Sequence, residues 1–243
     1  MHTLPPAASA HPDGARRGDA LRPRRAKPLH VPIRVLHAMH RPQILTHLLA
    51  LSAHDRYLRF GYPASDSQIE RYVETLNFAR DEIYGVVNRK LVLIAMAHLA
   101  FDAPQPGRLQ AAEFGVSVLG AYRGRGLGAQ LYERAVVHAR NKGVQTLYIH
   151  ALSENAPMLR IARNAGATVH REGSESEAYL KLPPPDLSSH LSEAWEDQIA
   201  ELDYHLKLQA FQVQTYLDTL RLWSGVAAGQ SKRSADLATT DRR

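Results

Sequence analysis

The sequence predicts an α+β (α/β) fold: a mixed, mostly antiparallel central sheet with flanking helices, followed by a long C-terminal amphipathic helix. Three observations carry that expectation. Between residues 31 and 118, apolar runs of strand length and apolar residues at helical spacing alternate in the order strand, two helices, three strands. A glycine-rich turn at 123–128 then joins the last of those strands to a helix. Finally, Pro183-Pro184-Pro185 stops the pattern, and a three–four apolar repeat takes over beyond it.

Taken in order, residues 1–29 hold five prolines and many alanines with no hydrophobic period, which predicts a disordered basic arm. Val31 to Leu36 reads as a first strand. Ile44, Leu45, Leu48, Leu49 and Leu51 repeat at helical spacing, and a second helix follows with Ser65 or Asp66 as its cap and Ile69, Tyr72, Val73 and Leu76 on its inner face. Ile83 to Val87 and Leu91 to Phe101 form a hairpin across Asn88-Arg89-Lys90. The strand Phe114-Gly115-Val116-Ser117-Val118 feeds the glycine turn, and a helix bearing Leu127, Leu131, Ala135, Val136 and Ala139 leaves it. A strand at Leu147 to His150, a helix from about Asn155 to Asn164, and strands near Thr168 to Arg171 and Ala178 to Leu182 complete a domain expected over 30–182. A helix over 186–224 and a disordered tail over 225–243 follow, and no internal repeat is present.

Composition narrows the function classes. An apolar content of 44% in 243 residues supports a real core. The net charge of +6 sits in the ends: residues 1–30 carry six basic against two acidic side chains and residues 225–243 four against two, so the body is neutral. A neutral body argues against specific nucleic-acid binding, which would show a basic face with stacking aromatics. The tails read as solvated disorder or as a transient contact for an acidic polymer or membrane surface. With no cysteine, disulfides, thiolate metal sites and cysteine nucleophiles are excluded. No run of 18 apolar residues exists and the start lacks the apolar segment of a signal peptide, so a cytoplasmic protein without a membrane span is expected. An arginine-rich start leaves an organelle transit peptide open, with Asp13 and Asp19 against it.

The turn Arg123-Gly124-Arg125-Gly126-Leu127-Gly128 before Ala129 predicts a pyrophosphate site. Glycines let backbone approach an anion unobstructed, and the first amides of a helix point outward with the positive end of its dipole behind them. Gly124, Gly126 and Ala129 also satisfy a dinucleotide-binding pattern, but the strand from Gln145 to His150 ends without the acid that a ribose requires. The Gly-Lys-Ser/Thr of a P-loop is absent.

Arg123, Gly126 and Gly128 meet in full the acetyl-CoA motif of the GCN5-related N-acetyltransferase (GNAT) superfamily, which the sequence resembles over roughly residues 31 to 182. The resemblance implies the GNAT fold, acetyl-CoA as acetyl donor, and direct attack on it by a primary amine. It implies that Val116, Ser117 and Val118 contact the pantetheine arm through their backbone and that Asn155 hydrogen-bonds the same arm. Gly115 suits a bulge in this strand, or only a packing accommodation. Glu113, at the start of the site strand, is the favoured base, acting directly or through water, with His150 and His98 as alternatives; a strand-end glutamate can also bind only backbone or solvent. The family's usual tyrosine is here Ala162, so protonation of the departing thiolate falls to water, Ser153 or nothing. The string Ser52, Asp55, Arg56, Tyr57, Arg59 and Phe60 is similar to acetyltransferase domains that modify protein lysines, with small-molecule amines and protein N-termini equally open. Asp55 could attract a cationic amine or cap a turn.

Beyond the prolines, Ile199, Leu202, Leu206, Gln209, Val213, Tyr216, Leu220 and Trp223 alternate spacings of three and four. That seam can pack on its own domain, form a homodimer, or bind another protein. A non-catalytic sensor of acetyl-CoA or CoA that signals through this helix is the rival to the enzyme.

Overall fold

The computed structural model describes residues 31–103, 109–186, 189–212 and 214–215. The expected arm, the tail, and Val213, Tyr216, Leu220 and Trp223 of the seam lie outside the described residues. Seven strands form one mixed sheet in the order β1-β2-β3-β4-β5-β7-β6. They are β1 (Arg34–Val35), β2 (Glu82–Val87), β3 (Leu93–Phe101), β4 (Ala111–Val118), β5 (Thr146–Leu152), β6 (Thr168–Glu172) and β7 (Glu175–Lys181). Every pairing is antiparallel except β4 with β5.

One core lies against α4 (Leu127–Asn141) and α5 (Ala156–Asn164), centred on Phe114, Leu131, Tyr132, Leu147 and Ile149. A second lies against α1 (Arg41–Leu49) and α3 (Asp66–Thr75), where Ile44, Leu48, Ile69 and Val73 pack on Ile83 and Met96. The helical periodicities of the sequence supply these inward faces.

Residues 52–60 differ from the expectation of two helices before the hairpin. They form a third, α2 (Ala53–Phe60), whose N-cap Ser52 accepts from the Asp55 amide and whose C-cap Gly61 takes the left-handed conformation with φ 80°. The apolar period there is short and polar on its outer side, so the caps, not the hydrophobicity, mark it. Gly115 differs too. The β3–β4 register runs unbroken from Ala95↔Val118 to Phe101↔Ala112, so no bulge occurs at Gly115 against β3, and the irregularity of the sheet lies at Val86/Val87.

Beyond the prolines a helix, α6, spans 189–212 and packs on its own domain. The face it turns inward is not the expected seam. Leu202 and Leu206 are exposed, together with Leu191, Trp195 and Phe211, while Ala200 is buried. Docking is set by Arg134 of α4, whose side chain is only 2% exposed and lies beside Glu193 (3.3 Å) and Asp197 (2.5 Å). His138 pairs with the same Glu193, whose other oxygen accepts from Asn141. Farther along, Arg34 stacks over Tyr204 and pairs with Glu201. A buried guanidinium needs carboxylates, and this need selects the polar side of the helix. Among the described residues no helix is long and apolar enough to cross a membrane.

Candidate active site

β4 and β5 hold together for only three steps. Ala111, Ala112 and Glu113 pair with Thr146, Leu147 and Tyr148; beyond them β4 continues to Val118 on β3 alone and β5 continues to Leu152 on β7 alone. From Phe114 and Ile149 onward, each strand therefore presents an unpaired edge to the other. Unpaired backbone donors and acceptors at a strand edge are a template for another extended chain.

His47 keeps the Ser117 side chain out of that opening. Its Nδ1 faces the Leu93 carbonyl at 2.9 Å and must donate, so its Nε2 accepts from the Ser117 hydroxyl at 2.8 Å. Burial pushes the His47 imidazole down to about 4, aided by the positive charge of Arg59 and against the Leu93 hydrogen bond. It stays neutral near pH 7, and this tautomer leaves the Ser117 contribution to its backbone.

At the far end of β4 the chain turns through a 3-10 segment, Gly120–Tyr122, into α4. Gly124 and Gly126 sit at φ 73° and 80°, a region that side-chain-bearing residues enter at a cost. Gly126 caps the helix without any side-chain bond, and the first helical hydrogen bond runs from the Gln130 amide to the Gly126 carbonyl. The amides of Leu127, Gly128 and Ala129 consequently have no helical acceptor. Gly128 packs on α5: a Cβ there would stand 3.2 Å from Ile161 Cδ1.

One cavity of about 450 Å³ joins the opening to the turn. Of the residues expected at the site, Glu113, Val116, Ser117, Val118, Arg123, Gly124, Gly126, Leu127, Gly128, Ala129, His150 and Asn155 line it. Arg125 and Ser153 do not. Arg125 turns back to donate to the Ala121 carbonyl (3.2 Å) and lies over the Tyr122 ring. The Ser153 hydroxyl is engaged with the Gly173 and Glu175 carbonyls (3.1 and 2.9 Å) and with Ser176, tying β5 to the β6–β7 turn; as a proton donor to the cavity it is misplaced. Ala162 is fully buried in the core beneath α5.

Asp55 sits in the first turn of α2 and lines the cavity. It pairs with Arg123 of the glycine turn, so α2 is fastened to the turn, while Arg56 binds Asp66 and the carbonyls of Leu49, Leu51 and Ala64. Burial would raise the Asp55 carboxyl, but hydrogen bonds from Arg123 and Ser52 outweigh it and hold it below the usual range. Asn155 is likewise shared: its Oδ1 caps α5 at the Met158 amide and its Nδ2 reaches the Leu58 carbonyl at 3.4 Å.

Sequence reasoning missed Leu58, Tyr122, Arg160 and Ile161 as lining residues. Tyr122 and Ile161 flank motif positions and were legible as neighbours; Leu58 arrives only because α2 folds across the opening. On the same face as Glu113, Tyr72 lies between Arg59 (3.0 Å) and His98 (2.8 Å), and His98 reaches Asp81 at 3.1 Å. Burial, helped by the Arg59 charge, lowers the His98 imidazole despite the Asp81 hydrogen bond.

Comparison with known proteins agrees with this geometry. Residues 49–167 match the family described as "Acetyltransferase (GNAT) family". The GNAT domain of S. lividans PAT is similar in fold, with a TM-score of 0.53 at 21% identity over 62% of this chain and 89% of that one. The acetyltransferase of the GNAT family from Streptococcus pneumoniae gives 0.51 at 10% identity, over 63% and 100%. An N-acetyltransferase from Staphylococcus aureus Mu50 gives 0.50 at 16%, over 63% and 99%. The fold is the GNAT fold, and the matched domain belongs to the acetyltransferase (GNAT) family.

Proposed function

We propose, on the premise of that family membership, that this chain is an N-acetyltransferase that moves the acetyl group of acetyl-CoA to a primary amine by direct attack. The supporting observation is that a single cavity contains both the unpaired edge of β4 and the outward amides at the start of α4. The first suits an amide-bearing arm that pairs as a strand does; the second suits a diphosphate.

In this reading Gly124, Gly126, Leu127, Gly128 and Ala129 cradle the diphosphate with backbone, and Arg123, anchored by Asp55, adds positive potential beside it. Val116, Ser117 and Val118 offer backbone groups to the arm, with the Val116 amide near the oxygen on which negative charge develops. Asn155 keeps α5 and α2 in place across the opening. Bound acetyl-CoA supplies the activated thioester.

Glu113 stands at the last paired step before the strands part, exposed to the cavity. An amine with a pKa of about 10.4 reaches neutral pH mostly as ammonium. The Glu113 carboxylate takes that proton, directly or through water; the nitrogen then forms the bond to the acetyl carbon, the carbon–sulfur bond breaks, and the nitrogen releases its second proton to water. His150, exposed on β5, is the second candidate base. With Ser153 engaged elsewhere and alanine at 162, the departing thiolate takes its proton from water.

Calorimetry with acetyl-CoA and a thiol-release assay against a panel of amines test the reading. The chain adds no thiol background because it has no cysteine. Micromolar binding with amine-dependent thiol release is expected; binding without release under any amine would instead make the chain a sensor.

A further inference from the structure

Arg59 is a cation that the fold positions in the cavity and leaves without a counter-charge. Among the described residues it forms no ion pair, and its hydrogen bond runs from Nη2 to the Tyr72 hydroxyl at 3.0 Å. A guanidinium carries five N–H donors in a fixed planar fork, so most of this fork faces the cavity unused. The rings of Phe60 and Tyr72 flank it, 5.3 and 5.7 Å from Cζ. Gly115 makes room for it: a Cβ there would stand 2.7 Å from Cζ and from both Nη atoms.

The support behind Arg59 is directional. Asp81 accepts from His98 Nε2, so His98 Nδ1 carries the lone pair and accepts from the Tyr72 O–H, whose oxygen in turn accepts from Arg59. Asp81 is held by Arg80 at 2.7 Å and by the Phe101 amide at 3.2 Å. Every proton in the chain has one place, so Tyr72 cannot swing away without breaking two bonds. A structural arginine fills its fork, with carboxylates as Arg134 does or with backbone carbonyls as Arg41 does, whereas Arg59 makes a single bond to a hydroxyl. Glu113 is the nearest acidic position on the strand, two residues from Gly115 on the same face, yet it makes no ion pair with Arg59. Gly115, over which the guanidinium lies, is roughly 7 Å along the strand from Glu113, a span in which the two side chains can address two ends of one small molecule.

We propose that Arg59 is a specificity residue that receives a carboxylate carried by the acceptor amine. The acceptor is then an amino acid or a similar small amine bearing a carboxylate, with the carboxylate on the Arg59 fork and the amine at Glu113. This rests on the acetyltransferase reading and narrows its substrate class. A guanidinium–carboxylate pair out of bulk water gives bidentate, charge-assisted hydrogen bonds that a neutral amide cannot reproduce.

The test is calorimetry of product analogues, which needs no turnover. With coenzyme A present, N-acetylglycine, N-acetylalanine and N-acetylphenylalanine are each titrated against the matching neutral amide. At least one acid should bind about tenfold or more tightly than its amide. That preference should vanish in Arg59→Met, survive in part in Arg59→Lys, and be lost in Gly115→Ala, which keeps the arginine but displaces it. Thermal melting establishes that each variant is folded. Acids and amides binding alike, neither binding, or a preference that outlives Arg59→Met would each overturn the assignment. Thiol release with the corresponding free amines reads the transferase activity separately: acid-selective binding without release would remove the enzyme while leaving the Arg59 site.

Discussion

Two arginines on opposite sides of the sheet, Arg134 and Arg59, are treated in opposite ways. On the α4 side, Arg134 is almost wholly buried and ringed by Glu193, Glu196 and Asp197 of α6, while Arg140 reaches Asp186. On the α2 side, Arg59 lies half-buried over Gly115 with only a neutral hydroxyl for company. Arg123, paired with Asp55, stands between the two cases. The difference teaches where the molecule invests charge in its own assembly and where it holds charge ready for something else. A buried ion pair whose partner is removed leaves an uncompensated charge, whereas an arginine with no protein carboxylate leaves nothing behind.

The largest effect should come from breaking the first arrangement. Arg134→Met strips the cation from Glu193 and Asp197 and should cost about 3 kcal/mol in urea unfolding, with 189–212 becoming the first segment cut by protease. Arg59→Met, by contrast, should cost about 1 kcal/mol or less, the value of its bond to Tyr72. Equal losses would erase the distinction drawn between them.

Next in size is Gly126→Asp, which sets a carboxylate against the amides that would hold the diphosphate. A loss of roughly 100-fold in acetyl-CoA affinity is expected, from charge repulsion at a helix start, whereas Gly126→Ala should lose less, through its φ of 80° alone. Undiminished binding by the aspartate variant would falsify the location of the site. Glu113→Gln should lower kcat by about 100-fold, at the weak end of general-base effects, with acetyl-CoA affinity retained; an unchanged rate would move the base to His150.

A smaller, pH-dependent effect separates the α6 contact from the cavity. Burial would raise the Glu193 carboxyl, but hydrogen bonds from His138 and Asn141 and the charges of His138 and Arg134 more than offset it, holding it at about 2. Its folded value lies below the ordinary 4.5, so its stabilisation is present above that pH and lost as the pH falls toward 2. Glu193→Gln should flatten that segment of the stability profile. The smallest change belongs to Ser153→Ala: unaltered kcat, with a loss of about 1 kcal/mol from the β5 to β6–β7 turn contact.

Much of this architecture was legible because it is written in local patterns. The glycines at 124, 126 and 128 mark a tight turn into a helix wherever they occur, and the strands flanking them alternate as the sheet does. Helix α2 is marked in the sequence by its Ser52 and Gly61 caps, while its short polar period carries no helical signal of its own. The role of Gly115 was not legible, because a glycine in a strand looks the same whether it relieves a bulge or admits an arginine from another helix. Ser153 followed the strand into the expected place in the chain but not in space, since the turn it serves comes twenty residues later.

By itself, the sequence determined the strands, the glycine turn and the apolar faces of α1, α3 and α4, all of which depend on residues within a few positions of each other. Only the tertiary structure decided which groups meet: where β4 parts from β5, that Asp55 fastens Arg123, that α6 docks on carboxylates and not on its leucines, and that Arg59 keeps its fork free. Periodicity reports which side of an element is apolar, whereas the partner of a charge is fixed by where distant elements come to rest.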